Sequence, residues 1–526
     1  MTGHAAAGKN DRLLKTRVLI IGGGVTGTGL ARDLALRGIP CLLAEKKDLD
    51  AGASGGNHGL LHSGARYVMS DGEAAKECRI EGEILKRMVP HCVEDTGGLF
   101  VAVEGDDERY AADFPAMCAR AGISADLLDA EEARAMAPAL SDHLVAAFRV
   151  GDATIDPFKL AIDNMAQAVS LNADCLLNTR VTGFDIAGRR IRAAYLEKGA
   201  TGEILRVEVD EVVNATGAWC GDIAGLAGID LPMIFSKGTL LVTQSRITRQ
   251  VINRLRPPAD GDILVPGGTV SILGTTSLRV SHPDDCRPTI READQIIREG
   301  AAVVPMLATA RYIRAYAGVR PLIAPREAGS DRAVSRGFSL MDHGRDGIEN
   351  FSTITGGKLT TYRLMAEKTA DHVCSRLGIS AGCRTRTDPL PPAENGRWTE
   401  PGLGPKLWAS RDDLRDVILC ECEMVSRNTV DALVDSLRRT DGIPTLRGVG
   451  LRSRIGKGPC QGGFCSARIA AHLYDTGVLT GTDGPAELRS FLQERWRGKR
   501  PVLWDLSLAQ AELQEALHCG FYGLEL

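Results

Sequence analysis

Cysteine is scarce, with 14 residues in 526, too few for a disulfide-dense secreted domain. No run approaches 18 consecutive apolar residues, so the sequence predicts no membrane span. The opening MTGHAAAGKNDRLLKT lacks the apolar core of a signal peptide. Basic charge is not in excess: 63 Lys and Arg face 67 Asp and Glu, a net of −4. That argues against nucleic acid as a partner, because such proteins carry a basic footprint. Fixed-period repeats and low-complexity tracts are missing too. A hydrophobic fraction of 44% is enough for sizeable cores and excludes a disordered chain. These absences leave the expectation of a reduced, cytosolic, multidomain protein, with about three or four domains at roughly 150 residues each.

Glycine, in contrast, is plentiful. Its 59 residues amount to about 11% of the chain, against a usual level of about 7%. Much of the backbone therefore needs positive φ or close approach to something. RVLII (17–21) reads as a buried strand, 22–38 as a tight turn and helix, and IPCLLAE (39–45) as a second strand, together a βαβ unit. A helix is expected at 73–88, a strand at 99–105 and a short helix at 130–138. Another helix can begin at Asp156, with Pro157 in its first turn. Strand-like segments follow at 175–184, 190–197, 204–209 and 211–215. Residues 231–281 suggest an antiparallel sheet, and a helix follows at 289–301. Residues 312–325 and 334–341 read as strands, and 353–378 as a Gly-rich turn running into a long helix. Five prolines and three glycines in 387–406 read as part of a linker.

Gly22, Gly24 and Gly27 form G-x-G-x-x-G between strand and helix. The first makes the turn, the second lets backbone approach a pyrophosphate, and the third packs helix on strand. The pyrophosphate would meet the free N–H groups and positive dipole of the helix start. Glu45 ends the next strand 18 residues after Gly27, where a carboxylate can bond ribose hydroxyls. The bland alternative is a Gly-rich turn with no ligand. The fingerprint alone does not separate FAD from NAD. Two further Gly-rich sites favour FAD, a long ligand bound in an extended pose. NATGAW (214–219) offers Thr216 and Gly217. TGGKLTTYR (355–363) offers Gly356, Gly357, Leu359 and Thr360 at a positive helix end, which suits a flavin that becomes anionic on reduction.

The fingerprint, GNHGLLHSGARY (56–67), GVRPL (318–322) and GGKLTTYR (356–363) resemble FAD-dependent glycerol-3-phosphate dehydrogenases of the D-amino-acid-oxidase-like flavoprotein superfamily. With the C-terminal cysteines, the chain resembles the catalytic subunits of the anaerobic branch. The resemblance implies an α/β fold (α+β overall), with a Rossmann-like FAD-binding domain interleaved with an antiparallel-sheet substrate domain and followed by a small cysteine-cluster module. The expected division is 15–95, 145–230 and 310–380 for FAD binding, and 96–144 and 231–309 for the substrate domain. A linker at 387–408, a cysteine module at 412–475 and a helical tail at 476–526 complete it. The implied reaction is oxidation of sn-glycerol 3-phosphate to dihydroxyacetone phosphate, with electrons passing toward quinone. The implied partners are a second flavoprotein chain and a membrane-associated iron–sulfur chain, which places the protein at the inner face of the membrane.

The chemistry of such a substrate defines the residues to seek. Its phosphate needs cations, and arginine binds phosphate bidentately. Arg66, Tyr67, Arg320 and Lys358 match the family's motifs, which imply substrate binding. The expected division of roles is Arg66 and Lys358 on phosphate, Tyr67 orienting the substrate and Arg320 on the reacting hydroxyl. The default reading of any single arginine is a surface ion pair. His62, and less strongly His58, are candidate proton acceptors, and either could order the loop instead. Arginine-assisted proton loss to water is an open alternative. Ser54, Gly55 and Asn57 read as FAD contacts.

Cys420, Cys422, Cys460 and Cys465 fall within 46 residues, as C-E-C and C-x4-C. This pattern resembles the bacterioferritin-associated ferredoxin-like module, which implies a 2Fe–2S cluster on four thiolates. Gly456, Gly458, Gly462 and Gly463 can bring backbone N–H groups to the sulfurs. A four-thiolate zinc site and a metal-free fold are the alternatives. Cys41 and Cys374 read as core packing. In the tail, Arg495, Arg497, Lys499 and Arg500 flank Trp496, either as the solvated face of a capping helix or as a docking surface. Two other functions compete: a flavin-dependent amino- or imino-acid dehydrogenase with a cysteine module, and a non-catalytic scaffold.

Overall fold

The computed structural model describes residues 12–199, 201–323, 337–411, 413, 415–439 and 444–526. The strand readings at 324–325 and 334–336, and residues 412, 414 and 440–443 of the expected cysteine module, lie outside these residues.

The first sheet has eight strands. Arg12–Ile21, Cys41–Ala44, Asp174–Leu176, Ile204–Asn214 and Phe351–Gly356 run parallel. Side chains alternate across the pleat, so Val18 and Ile20 enter one core while Leu19 and Ile21 enter another. Helices Val25–Leu36, Pro157–Ser170 and Tyr362–Leu377 cover the first face through Leu30, Leu34, Met165 and Ala366. In place of the two expected strands at 204–209 and 211–215, the structure has a single strand across 204–214. It pairs with Arg190–Lys198 through its first half and with Phe351–Gly356 through its end. The expected helix start holds: Asp156 caps Pro157–Ser170 by accepting from the Phe158 and Lys159 N–H groups.

The second sheet has nine strands, mostly antiparallel, with one parallel pair between Gly98–Val103 and Val251–Arg254. Helix Ile290–Val303 packs on it through Ala293, Ile296 and Val303, and the Thr289–Glu292 capping box opens that helix. Strands Leu144–Val150 and Tyr312–Leu322 belong to this sheet, although the expected division places both with the FAD-binding part. Leu144–Val150 pairs antiparallel with Gly98–Val103, and Tyr312–Leu322 pairs along Ile234–Thr243. Helix Glu108–Arg120 has no counterpart among the expected elements, because Pro115 interrupts its pattern.

A third core lies in the C-terminal part, around Val430, Leu433, Val449, Ile469, Leu488 and Phe491. The stretch that reads as a linker is packed: Leu390 enters a core with Tyr362, Trp398 enters the C-terminal core, and Leu403–Ser410 is helical. In the tail, Arg495 turns over the Phe491 ring at 5.0 Å, whereas Arg497 and Arg500 are exposed. Among the described residues, two ion pairs bind the C-terminal part to the rest of the fold. Arg452 holds Asp48 through both guanidinium nitrogens at 2.7 and 2.8 Å, and Arg314 meets Glu494 at 2.8 Å.

Candidate functional site

A cavity of about 750 Å³ runs between the two sheets. Its wall includes Gly22, Gly24, Glu45, Ser54, Asn57, His58, His62, Arg66, Tyr67, Thr216, Gly217, Arg320, Gly356, Gly357, Lys358 and Leu359. These residues are scattered from position 22 to position 359, yet the fold brings them to one space. Gly27, Gly55 and Thr360 stand behind the wall. A Cβ at Gly27 would fall 1.9 Å from the Gly22 carbonyl oxygen, and one at Gly55 would fall 2.3 Å from that of Asp50. Thr360 is fully buried, and its hydroxyl accepts from the His62 N–H at 3.0 Å.

The end of the cavity at the Gly22–Gly27 turn is lined in part by bare backbone. Gly22 has φ +114°, and a side chain there would collide with the Ala215 carbonyl at 2.6 Å. Helix Val25–Leu36 starts at Gly24, and the Ser54 hydroxyl accepts from the Val25 N–H at 3.1 Å. Glu45 accepts from the Gly23 N–H at 2.7 Å and the Lys47 N–H at 2.8 Å, while burial pushes its carboxyl upward. Asn57 orders its own loop by donating to the Ala53 carbonyl and accepting from the Gly59 N–H. Thr216 donates to Asn214 at 2.6 Å. Trp219 closes the NATGAW motif, in which the sequence points only to Thr216 and Gly217. Its ring lines the cavity, and its indole N–H is buried without a protein acceptor among the described residues. An orphaned donor beside glycine-lined backbone fits a bound cofactor rich in acceptors, as FAD is.

At the other end, Arg320 donates to the Thr275 hydroxyl at 2.9 Å and the Thr276 carbonyl at 3.2 Å. Lys358 Nζ lies 4.7 Å above the Tyr67 ring. Arg66 is engaged elsewhere: it meets buried Asp262 at 2.8 Å, and Arg256 holds the other carboxylate oxygen at 2.8 Å. No local signal marks Asp262, Thr275 or Thr276, which become neighbours of the motif residues only through the second sheet. The helix after Lys358 is anchored by Arg363, which binds buried Glu81 bidentately at 2.7 and 2.8 Å.

Both loop histidines are neutral near pH 7. Burial, then the Arg320 and Arg66 charges, lower His58 to about 3. Burial, then His58, Arg66 and Lys358, hold His62 well below its ordinary value. His58 Nδ1 accepts from the Leu60 N–H at 3.3 Å, so a neutral ring carries its proton on Nε2. His62 Nε2 lies 3.4 Å from the Tyr67 hydroxyl.

The four clustered cysteines also converge. Cys420 and Cys422 sulfurs are 3.8 Å apart, and Cys422 and Cys460 sulfurs 3.7 Å. Cys420 and Cys465 are buried, whereas Cys422 is exposed. Backbone N–H groups of Glu423, Gly456, Gly462 and Phe464 point at the sulfurs, and Gly456 and Gly462 take positive φ to do so. Thiols this close, with backbone donors aimed at them, fit a thiolate-bound metal centre.

A sequence profile of the FAD dependent oxidoreductase family matches residues 17–371. A chain of the anaerobic glycerol-3-phosphate dehydrogenase of Escherichia coli is 42% identical, over 97% of both sequences. Its counterpart in Haemophilus influenzae is 40% identical, over 97% of this chain and 94% of the relative. Among solved structures, the glycerol-3-phosphate dehydrogenase from Bacillus halodurans complexed with FAD superposes with a TM-score of 0.64 at 20% identity, covering 93% of this chain and 96% of that one. The L-proline dehydrogenase from P. horikoshii gives 0.57 at 20% identity, covering 70% and 95%. These likenesses agree with the two-sheet architecture and the glycine-lined cavity, and the chain belongs to the FAD-dependent oxidoreductases, within the family of anaerobic glycerol-3-phosphate dehydrogenases.

Proposed function

We propose that the protein oxidises sn-glycerol 3-phosphate to dihydroxyacetone phosphate and passes the electrons through a 2Fe–2S cluster toward a quinone. The observation that carries this reading is the gathering of Arg66, Arg320 and Lys358 with two neutral imidazoles on the wall of the cavity that the fingerprint glycines also line. Bound FAD supplies the hydride acceptor.

Lys358 and Arg320 provide the cations that a dianionic phosphate and an ionising alcohol need. The charge of Arg66 is shared with Asp262, so Arg66 also shapes the wall. Arg320, held by Thr275 and Thr276, faces the position where negative charge develops on the alcohol oxygen. His62 is the proton acceptor, because the free nitrogen of neutral His58 is already occupied by the Leu60 N–H. Burial, then the neighbouring His58, Arg66 and Lys358, keep His62 a weak base. A bound phosphate offsets the neighbouring cations and raises its affinity for the proton. Tyr67, beside both His62 and Lys358, orients the substrate between them.

Cys420, Cys422, Cys460 and Cys465 would hold the cluster, which supplies a one-electron carrier. The relatives are named as single subunits, which supports assembly with other chains, here read as a second flavoprotein and a membrane-associated iron–sulfur protein. No helix among the described residues is long and apolar enough to cross a membrane, so a peripheral place on the cytoplasmic face would come through those partners.

Turnover with an artificial electron acceptor tests the substrate assignment. Formation of dihydroxyacetone phosphate from glycerol 3-phosphate, with little oxidation of glycerol, is expected. Preferential oxidation of an amino acid such as proline would replace this reading with that of an amino-acid dehydrogenase.

A further inference from the structure

Away from the cavity and the clustered cysteines, three unlike metal-binding side chains meet. His91 and Cys92 are neighbours on the short turn Pro90–Cys92, and Asp163 projects from helix Pro157–Ser170. A ring nitrogen of His91, the Cys92 sulfur and a carboxylate oxygen of Asp163 lie within 4.8 Å of one another. His91 Nε2 is 2.9 Å from Asp163 Oδ2, and Cys92 Sγ is 3.7 Å from that same oxygen. The other carboxylate oxygen accepts from the Ala393 N–H at 3.0 Å. The Asp163 side chain is fully enclosed, while that of His91 is 19% exposed, which leaves one edge open to solvent.

This arrangement puts two potential anions side by side in a buried place. The ion-pair partner of Asp163 is a histidine, which is charged only when protonated. A divalent cation satisfies carboxylate and thiolate at once. Zinc bonds of about 2.0–2.3 Å at tetrahedral angles hold ligand atoms roughly 3.3–3.7 Å apart. The Cys92–Asp163 separation already matches, and the His91–Asp163 contact needs to open by only about 0.4 Å.

We propose that His91, Cys92 and Asp163 form a site for a zinc-class divalent cation, with water as the fourth ligand on the exposed edge. The mixed nitrogen, sulfur and oxygen donors suit a borderline-soft ion and disfavour calcium or magnesium, which take oxygen ligands. Binding releases the Cys92 thiol proton to solvent and uses neutral His91 through Nε2, with its remaining proton on Nδ1. The ion ties together the turn at Pro90–Cys92, the helix beneath the first sheet, and the segment at Ala393 that leads to the cysteine-bearing part. The site is independent of the proposed reaction.

The test uses the full-length holoprotein. Zinc, iron and FAD are measured per chain after zinc exposure and gel filtration, in the wild type, Asp163→Asn and Cys92→Ala. The expected result is about one zinc per chain in the wild type, with at least tenfold weaker binding in each variant, and iron and FAD unchanged. Cobalt substitution gives a second readout, a sulfur-to-cobalt charge-transfer band present in the wild type and missing from the Cys92→Ala difference spectrum. Asp163→Asn preserves shape, so it serves if Cys92→Ala fails to fold. Equal zinc in the wild type and Asp163→Asn, or no zinc in the wild type, overturns the proposal.

Discussion

Arg320 is fixed against Thr275, with Nη2 donating to the hydroxyl at 2.9 Å, and the bare Cα of Gly238 makes the space for that contact. A Cβ at 238 would fall 2.3 Å from the Arg320 terminal nitrogen and 2.4 Å from the Thr275 oxygen. Gly238→Ala is therefore expected to displace the guanidinium and lower kcat/KM by on the order of 10²-fold, with FAD content retained. Arg320→Ala should lose a comparable or larger factor. Steady-state kinetics on both variants checks this, and near-normal kcat/KM in Arg320→Ala would remove Arg320 from the reaction.

Lys358 is assigned to the phosphate rather than to the reacting carbon. Lys358→Met should raise KM for glycerol 3-phosphate by about 10- to 100-fold, the value of a charge-assisted hydrogen bond, while kcat changes less. A fall in kcat with KM unchanged would move Lys358 to the chemical step.

His58 gives the protein a pH signature. Its pKa is lowered to about 3 in the folded chain, chiefly by burial, against about 6.5 when unfolded. Between these values the unfolded chain binds a proton that the folded chain does not. The associated stability is complete above about pH 6.5 and is lost as pH falls toward 3. His58→Gln should flatten this acid limb in a plot of Tm against pH, and an unchanged limb would contradict the burial argument.

The C-terminal part is held to the first sheet by Arg452 and Asp48, whose side chains are 3% and 13% exposed. Removing one partner of a buried pair costs roughly 3–5 kcal/mol, because the other is left uncompensated. Arg452→Ala should loosen the cysteine-bearing part first, seen as faster hydrogen exchange over 444–475 with the FAD-binding sheet unaffected. Uniform destabilisation of the whole chain would count against a separable interface.

The glycine fingerprint, Glu45 and the helix cap at Asp156 are legible in the sequence because each is a local device: a turn, a strand end, an N-cap. The cation set is only half legible. Motifs point to Arg66, Arg320 and Lys358, but the pairing of Arg66 with Asp262 depends on a contact across 196 positions. The strand Tyr312–Leu322 is misassigned from sequence for a similar reason. Its apolar pattern suits either sheet, and only its pairing with Ile234–Thr243 decides. The Pro-rich stretch looks like a spacer by composition, yet Trp398 and Leu390 bury in two different cores, which composition does not encode.

Anaerobic titration of the purified holoprotein with sn-glycerol 3-phosphate, followed by flavin absorbance and electron paramagnetic resonance, puts the proposed electron path to its sharpest test. The flavin is expected to bleach and a reduced 2Fe–2S signal to develop, with about three electron equivalents taken up per chain. A flavin that stays oxidised in the presence of this substrate would contradict the proposed reaction.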